Sequence, residues 1–565
     1  MMTFNRLCPV LCLVAVLQAC GGGSGSPEKQ VERRVLDGLF TDKALQACVN
    51  QEKLLQGWGD YADQVTDSLS CSGEFGKIVN LSGIKHLVKL TGLQLAFNSI
   101  ANPQFAASNF NEIGQLGQLT ALDLRGNGIA ASQDVNALRK LTQLRELHVG
   151  AGNRFKDLNW LPALDNLSKL SIDASAIDNA GLAVIASMAN LQVLDVAQNN
   201  ISDLDGLAKL TKLTQLSVGE NPISDINVLS HANLAGLQSL SLRQITPIWS
   251  DTPVLIQALG NLKNLMTLNL NATNFTPANL NTIKIALESL PLLENLYLSG
   301  CNDCAQGNKL TDLLALANLT QLKRLDVSNH GLTDVGQLIV FKQLTYLNLE
   351  RNAISDLSPL NNADPDNTLV NLLDLRLGFN RLTDITGLSK LTQLRYLDLE
   401  SNSISKLAPL ANLNLLQDML DLENNAIADV SPLATLTALE HLDLDGNPAL
   451  QDVSSLSSLT QLKTLLLNGD AVEDVDPLKN LSALTELDLE DNKIGGQDVG
   501  NVDSLAMLTG LQALHLSNEP ENAATAPLLS CNELTALVST LGPVYVDLDY
   551  NLATIDTTAN YCTHP

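Results

Sequence analysis

The chain has 565 residues, and 61 acidic against 34 basic side chains give it a formal net charge of −27. That balance makes nucleic acid and anionic membrane surfaces repulsive partners. Aromatic residues make up only 4%, too few for an ordinary globular core, and beyond the N-terminus no stretch is apolar for long enough to span a bilayer.

Residues 1–19 read as an export signal, with Arg6 as the positive start and Leu7 to Leu17 as the apolar run. The run ends in Leu17-Gln18-Ala19-Cys20. L-x-A-C resembles the bacterial lipobox. The resemblance implies cleavage before Cys20 and lipid on Cys20, so that the protein touches a membrane through its anchor only. Gly21, where Asp would mark retention, implies by the same resemblance the outer membrane of a Gram-negative envelope. Residues 20–37, which include GGGSGSPEKQVERR, form a flexible polar tether.

Residues 38–84 are expected to form a helical N-terminal cap and a first partial repeat. Thr41 to Gln56 spaces Leu45, Cys48, Val49 and Leu55 for one helical face, and Leu69-Ser70-Cys71 reads as a strand. From 85 to 529 one pattern recurs. In its clearest copy Leu391, Leu394, Leu397 and Leu399 give L-x-x-L-x-x-L-x-L, followed by Asn402 and Ile404. The L-x-L part alternates like a half-buried strand, and the Asn402 amide suits a tight turn whose backbone groups need partners. This is the signature of a leucine-rich repeat.

Counting by the turn residue gives about 19 coils. Asn holds that position in 12 of them, and Ser175, Ile245, Thr273, Cys301, His330, Asp470 and Glu519 stand in elsewhere. The expected fold is an α/β solenoid, a leucine-rich-repeat horseshoe with a parallel concave β-sheet. Its convex side should mix turns and 3₁₀ segments with helices such as Ala180–Met188 and Asn279–Leu290. Residues 530–565 should close the array, with a helix from Cys531 to Thr540 and a last coil around Val546, Leu548 and Asn551. The 22-residue spacing, with Pro409 and Leu410 after the turn, resembles the repeats of the internalin family. That resemblance implies a domain that binds protein ligands.

Cys8 and Cys12 leave with the signal. The six cysteines beyond Cys20 fall into three local pairs, Cys48 with Cys71, Cys301 with Cys304 and Cys531 with Cys562, which suits disulfides in an oxidising compartment. Cys301-Asn302-Asp303-Cys304 has redox-motif spacing, but it starts at a turn position and reads as a clip on an inserted loop.

No P-loop, HExxH or G-x-S-x-G is present, and the seven histidines are scattered. Asp443-x-Asp445-x-Asn447 and Asp488-x-Glu490-x-Asn492 resemble the front half of a calcium loop. Pro448 and Lys493 then stand where Gly is needed, and Ser454 and Val499 where Glu is needed. No catalytic or metal residue is assigned and no cofactor is expected, with calcium shared between laddered carboxylates left open.

The residue between the last two strand leucines should face solvent. It is Asp123, Asp195, Asp326, Asp398, Asp421, Asp443, Asp488 and Asp547 in eight coils, and the residue after the second leucine is often Glu. Tyr346, Tyr396 and His441 share that face. The candidate binding surface is therefore Tyr346, Tyr396, Asp398, Glu400, Asp421, Glu423, His441, Asp443, Asp445, Asp488 and Glu490. Strand alternation alone also explains an L-D-L ladder. From Leu391 to Pro565, however, 26 acidic residues face 5 basic ones. The sequence points to a non-enzymatic, envelope-anchored monomer that binds a protein ligand with a basic surface. The alternatives are a polysaccharide or cell-wall binder and a purely structural envelope lipoprotein.

Overall fold

The computed structural model describes residues 34–72, 76–155, 157–245, 252–273, 280–301, 310, 312–361, 369–494, 502–516, 537, 545–547, 555–556 and 561–562. The export signal, Cys20, most of the tether, Cys304, Cys531 and most of the expected C-terminal helix lie outside these residues.

Three-residue strands cannot stand alone, so they stack. Among the described residues twenty of them, from β1 (Ser68–Ser70) to β20 (Tyr545–Asp547), form one sheet, each centred on a leucine except β20, which has Val546. Each strand pairs in parallel with its neighbours in the chain, and the register sets leucine against leucine. Leu69 lies opposite Leu93, Leu397 opposite Leu420, and Leu465 opposite Leu487. These leucines are essentially inaccessible to solvent and form one continuous core along the array.

The turn asparagines bind consecutive coils together. Asn402 Nδ2 donates to the Leu399 carbonyl of its own coil at 3.0 Å and to the Leu377 carbonyl of the coil before at 3.1 Å. Its Oδ1 accepts the Leu382 N–H at 2.9 Å. Asn425 and Asn447 repeat the scheme. His330 reproduces it with an imidazole, as its turn position suggests: Nδ1 accepts the Leu310 N–H and Nε2 meets the Leu298 carbonyl at 2.7 Å. Just before the turn residue the backbone enters the left-handed region, at Arg351, Phe379, Ser401 and Asn424 among others, a conformation that costs side chains other than glycine.

The side opposite the sheet is mixed, as expected. Short coils cross it in 3₁₀ turns such as Ala408–Leu410, where Pro409 presets the first turn. Longer coils insert α2 (Ala106–Ile113), α3 (Asn179–Ile185), α4 (Thr252–Gly260) and α5 (Leu280–Glu288), after α1 (Lys43–Gln56) in the cap. Among these, α3 and α5 answer to the expected helices, while α2 and α4 had no separate expectation.

In the cap, Asp42 starts α1 by accepting the Ala44 and Leu45 N–H groups on Oδ1, while its Oδ2 accepts from Val79 and Asn80 in the first coils. Leu45, Cys48 and Val49 are buried. Leu55 is not: it is 70% exposed, because burial of this face stops in the first half of the helix. Cys48 and Cys71 form the expected disulfide, with their Cα atoms 5.7 Å apart. Cys301 is also disulfide-bonded. Cys562 lies in a final antiparallel pair of two-residue strands, Ile555–Asp556 with Tyr561–Cys562.

Candidate functional site

The expected surface spans β12 (Tyr346–Asn348), β13 (Asp374–Arg376), β14 (Tyr396–Asp398), β15 (Met419–Asp421), β16 (His441–Asp443), β17 (Thr464–Leu466) and β18 (Glu486–Asp488). Beyond each second leucine, alternate N–H groups continue to the next coil. Leu399 N donates to the Asp421 carbonyl and Ser401 N to the Glu423 carbonyl. The N–H between them, on Glu400, has no such partner, and Asp398 Oδ1 accepts it at 3.0 Å. Asp421, Asp443 and Asp488 do the same for Glu423, Asp445 and Glu490. The aspartate of L-D-L is thus first a backbone device, an acceptor two residues ahead of an orphan donor.

That device overturns one expectation. Asp398 and Asp443 do not face solvent freely; they are 4% and 8% exposed, curled back over their own backbone. Asp421 and Asp488 are half-buried, as are Glu400, Glu423, Asp445 and Glu490. Tyr346 is also buried, at 8% exposure, because arginines cover its ring. Arg324 lies 4.1 Å from the Tyr346 centroid, and Arg376 sits between the Tyr346 and Tyr396 rings at 5.4 and 4.7 Å. Arg351 covers Phe379 in the same way, at 3.8 Å. These arginines escape a reading by charge count. The sign that could have found them is the strand register, which sets Arg324 beside Tyr346 and Asp374 beside Tyr396.

The carboxylates converge most closely on β14 to β16. Oxygens of Asp398, Glu400 and Asp421 lie within 4.8 Å of one another, and so do those of Asp421, Glu423 and Asp443. Both groups have the hard oxygen donors that suit a divalent cation. His441, half-buried at the start of β16, belongs to neither. Glu490 faces His515 at 3.8 Å, further along. Burial and then the Asp445 charge push the Asp443 carboxyl up to about 8, and burial with Asp488 and Glu423 pushes Asp445 up to about 6. Asp398 moves in the same direction, through burial and the charges of Asp421 and Glu350. Part of the nominal charge of this face is therefore carried as protonated acid near neutral pH.

Comparisons with known proteins agree with this architecture. Models of a leucine-rich repeat region and of paired leucine-rich repeats match residues 368–544 and 189–231, and neither describes an enzyme. Among solved structures, an internalin of Listeria monocytogenes is 26% identical, covering 69% of this chain and 88% of its own, with a TM-score of 0.41. A leucine-rich-repeat protein of Leptospira interrogans is 21% identical over 79% of this chain and 99% of its own, with a TM-score of 0.48. Internalin C2 of Listeria monocytogenes is 34% identical over 35% of this chain and 83% of its own, with a TM-score of 0.32. No curated protein matches the chain. The protein is a leucine-rich-repeat solenoid, a class of fold that presents one extended sheet surface for recognition. Among the described residues no helix is long and apolar enough to cross a membrane.

Proposed function

We propose that this is an exported recognition protein, held to a bacterial envelope by lipid on Cys20, that binds a protein partner through the acidic face of β14 to β18. The carrying observation is the convergence of Asp398, Glu400, Asp421, Glu423 and Asp443 within 4.8 Å groupings in the third of the chain where acids outnumber bases 26 to 5. Like charges on adjacent strands oppose the fold, and a basic surface relieves that repulsion on docking. Such association is fast at low ionic strength and weakens as salt screens it. The arginines over Tyr346, Tyr396 and Phe379 occupy ring faces that a sugar would stack on, which favours a protein over a polysaccharide.

The test is affinity capture with the mature, detergent-extracted protein and a variant carrying Asp421→Asn, Glu423→Gln, Asp443→Asn and Asp445→Asn. Basic partners should be retained by the native protein at low salt and lost with the variant or at high salt. A partner held equally by both proteins at either salt concentration places the binding surface elsewhere.

A further inference from the structure

The helix of the N-terminal cap runs past the core it packs on. α1 buries Leu45, Cys48 and Val49 and then continues to Gln56, an overhang of about 10 Å. Leu54 and Leu55, in its last turn, are 84% and 70% exposed. The overhang is held in place. The Gly57 N–H, at φ 69°, and the Trp58 N–H both donate to the Lys53 carbonyl and close the helix, while Cys48–Cys71 ties it to the first coil. Two adjacent leucines are thus presented to solvent on a rigid support.

The chain enters the fold at the same place. Lys53 Nζ meets Asp60 at 2.6 Å, the Asp60 carbonyl accepts the Leu36 N–H at 2.8 Å, and the Arg34 carbonyl accepts the Ala62 N–H at 2.8 Å. Val35, between these two links, is also exposed. Residues 21–33 separate this point from Cys20. A chain of that length reaches about 45 Å at full extension and about 20 Å as a coil, so lipid on Cys20 keeps the leucines within that distance of a bilayer. Other exposed apolar side chains, such as Leu415 and Met507, belong to coils far along the array. Residues 21–33 offer only Pro27 and Val31 as larger apolar side chains, too little to bury two leucines. Charge favours the same end. Lys53 and Asp60 offset each other there, and the strongly acidic stretch from Leu391 to Pro565 lies at the other end of the array.

We propose that Leu54 and Leu55, with Val35 at the chain entry, form a second membrane contact: the cap rests on the phospholipid bilayer that holds the Cys20 lipid, and the two leucines enter the acyl boundary. This rests on the reading of Cys20 as the lipid-bearing residue. Two leucines alone hold a protein on a bilayer weakly, but on a tethered chain their contact is intramolecular. The contact sets the inclination of the solenoid. Its first coil sits at the surface, and the following coils lead β14 to β18 away from it.

The test reconstitutes the lipidated, mature protein into vesicles of brominated phosphatidylcholine, whose acyl chains quench a nearby indole. The reporter is Gln51→Trp, on the exposed side of α1 one turn before the leucines, read against the native protein. Leu415→Trp is the control far along the array. Vesicle flotation reports the anchor separately. Gln51→Trp should be quenched and Leu415→Trp should not. Adding Leu54→Ser and Leu55→Ser to the reporter should lower the docked-to-undocked ratio by roughly tenfold or more, the scale of withdrawing leucine side chains from an apolar phase, with thermal unfolding unchanged. Protein that floats with its Gln51→Trp reporter unquenched overturns the contact and leaves the anchor standing. Quenching that survives both serines, or that is equal at Leu415→Trp, also overturns it. So does an unquenched reporter together with self-association in sedimentation that the serines abolish, which gives the leucines to a second copy of the chain. Protein that neither floats nor is quenched removes the contact and the lipid anchor together.

Discussion

Asp470 occupies the place of a turn asparagine, and replacing it with asparagine tests the ladder logic most directly. Its Oδ1 does what an amide oxygen would do, accepting the Asn447 N–H at 2.7 Å. Its Oδ2 is buried without a hydrogen-bond partner, in the position from which Asn447 Nδ2 reaches the Leu422 and Leu444 carbonyls. Burial, with Asp445 and Asp443 adding to it, pushes the Asp470 carboxyl up to about 8. The folded chain therefore holds a proton here that the unfolded chain releases near pH 4. Stability from this group is complete below about pH 4 and is lost as the pH rises through about 8.

Asp470→Asn supplies a permanent donor. The gain should be about 1–3 kcal/mol at about pH 9, the cost of one buried unsatisfied polar group, and should fall towards zero at about pH 5. Urea unfolding at the two pH values measures the difference, and amide hydrogen exchange at Asn447 localises it. A gain of equal size at both pH values, or a less stable variant, would refute the assignment of Oδ2 as an acceptor in a donor's place.

Three further outcomes are expected. The quadruple variant Asp421→Asn, Glu423→Gln, Asp443→Asn, Asp445→Asn should unfold at a higher temperature than the native protein at pH 8. It should also lose much of the native protein's stabilisation on acidification from pH 8 to 6, because Asp443 and Asp445 titrate in that window only when folded; an unchanged pH profile would contradict the raised carboxyls. Cys48→Ser with Cys71→Ser should cost about 3 kcal/mol, as for a closed loop of this size, with exchange protection lost first in the coils nearest α1. Cys20→Ser should abolish metabolic labelling with palmitate, and a variant still labelled would refute lipidation at that residue.

The leucine spacing and Asn402 were enough to place the strands and turns, because each coil repeats the same local demand: bury two leucines and satisfy one turn. His330 was legible for the same reason, since an imidazole offers one donor and one acceptor as an amide does. Asp398 was misjudged because alternation predicts the side of the sheet a side chain leaves from and not whether it curls back to its own backbone. The Arg376 stack joins residues from β12, β13 and β14 across coils of unequal length. Its partners become visible only once those coils are set in register.

Each strand of the sheet is hydrogen-bonded only to the strands before and after it in the chain. Mechanically this makes the molecule a stack of serial fuses. Tension on its C-terminal end loads one interface at a time, and every coil that lets go leaves the rest intact. A 22-residue coil such as Asn380 to Asn402 pays out about 70 Å of extended chain. A partner gripping β14 to β18 would thus be borne on an extensible arm whose first coil, held by Cys48–Cys71, is covalently stapled to the cap.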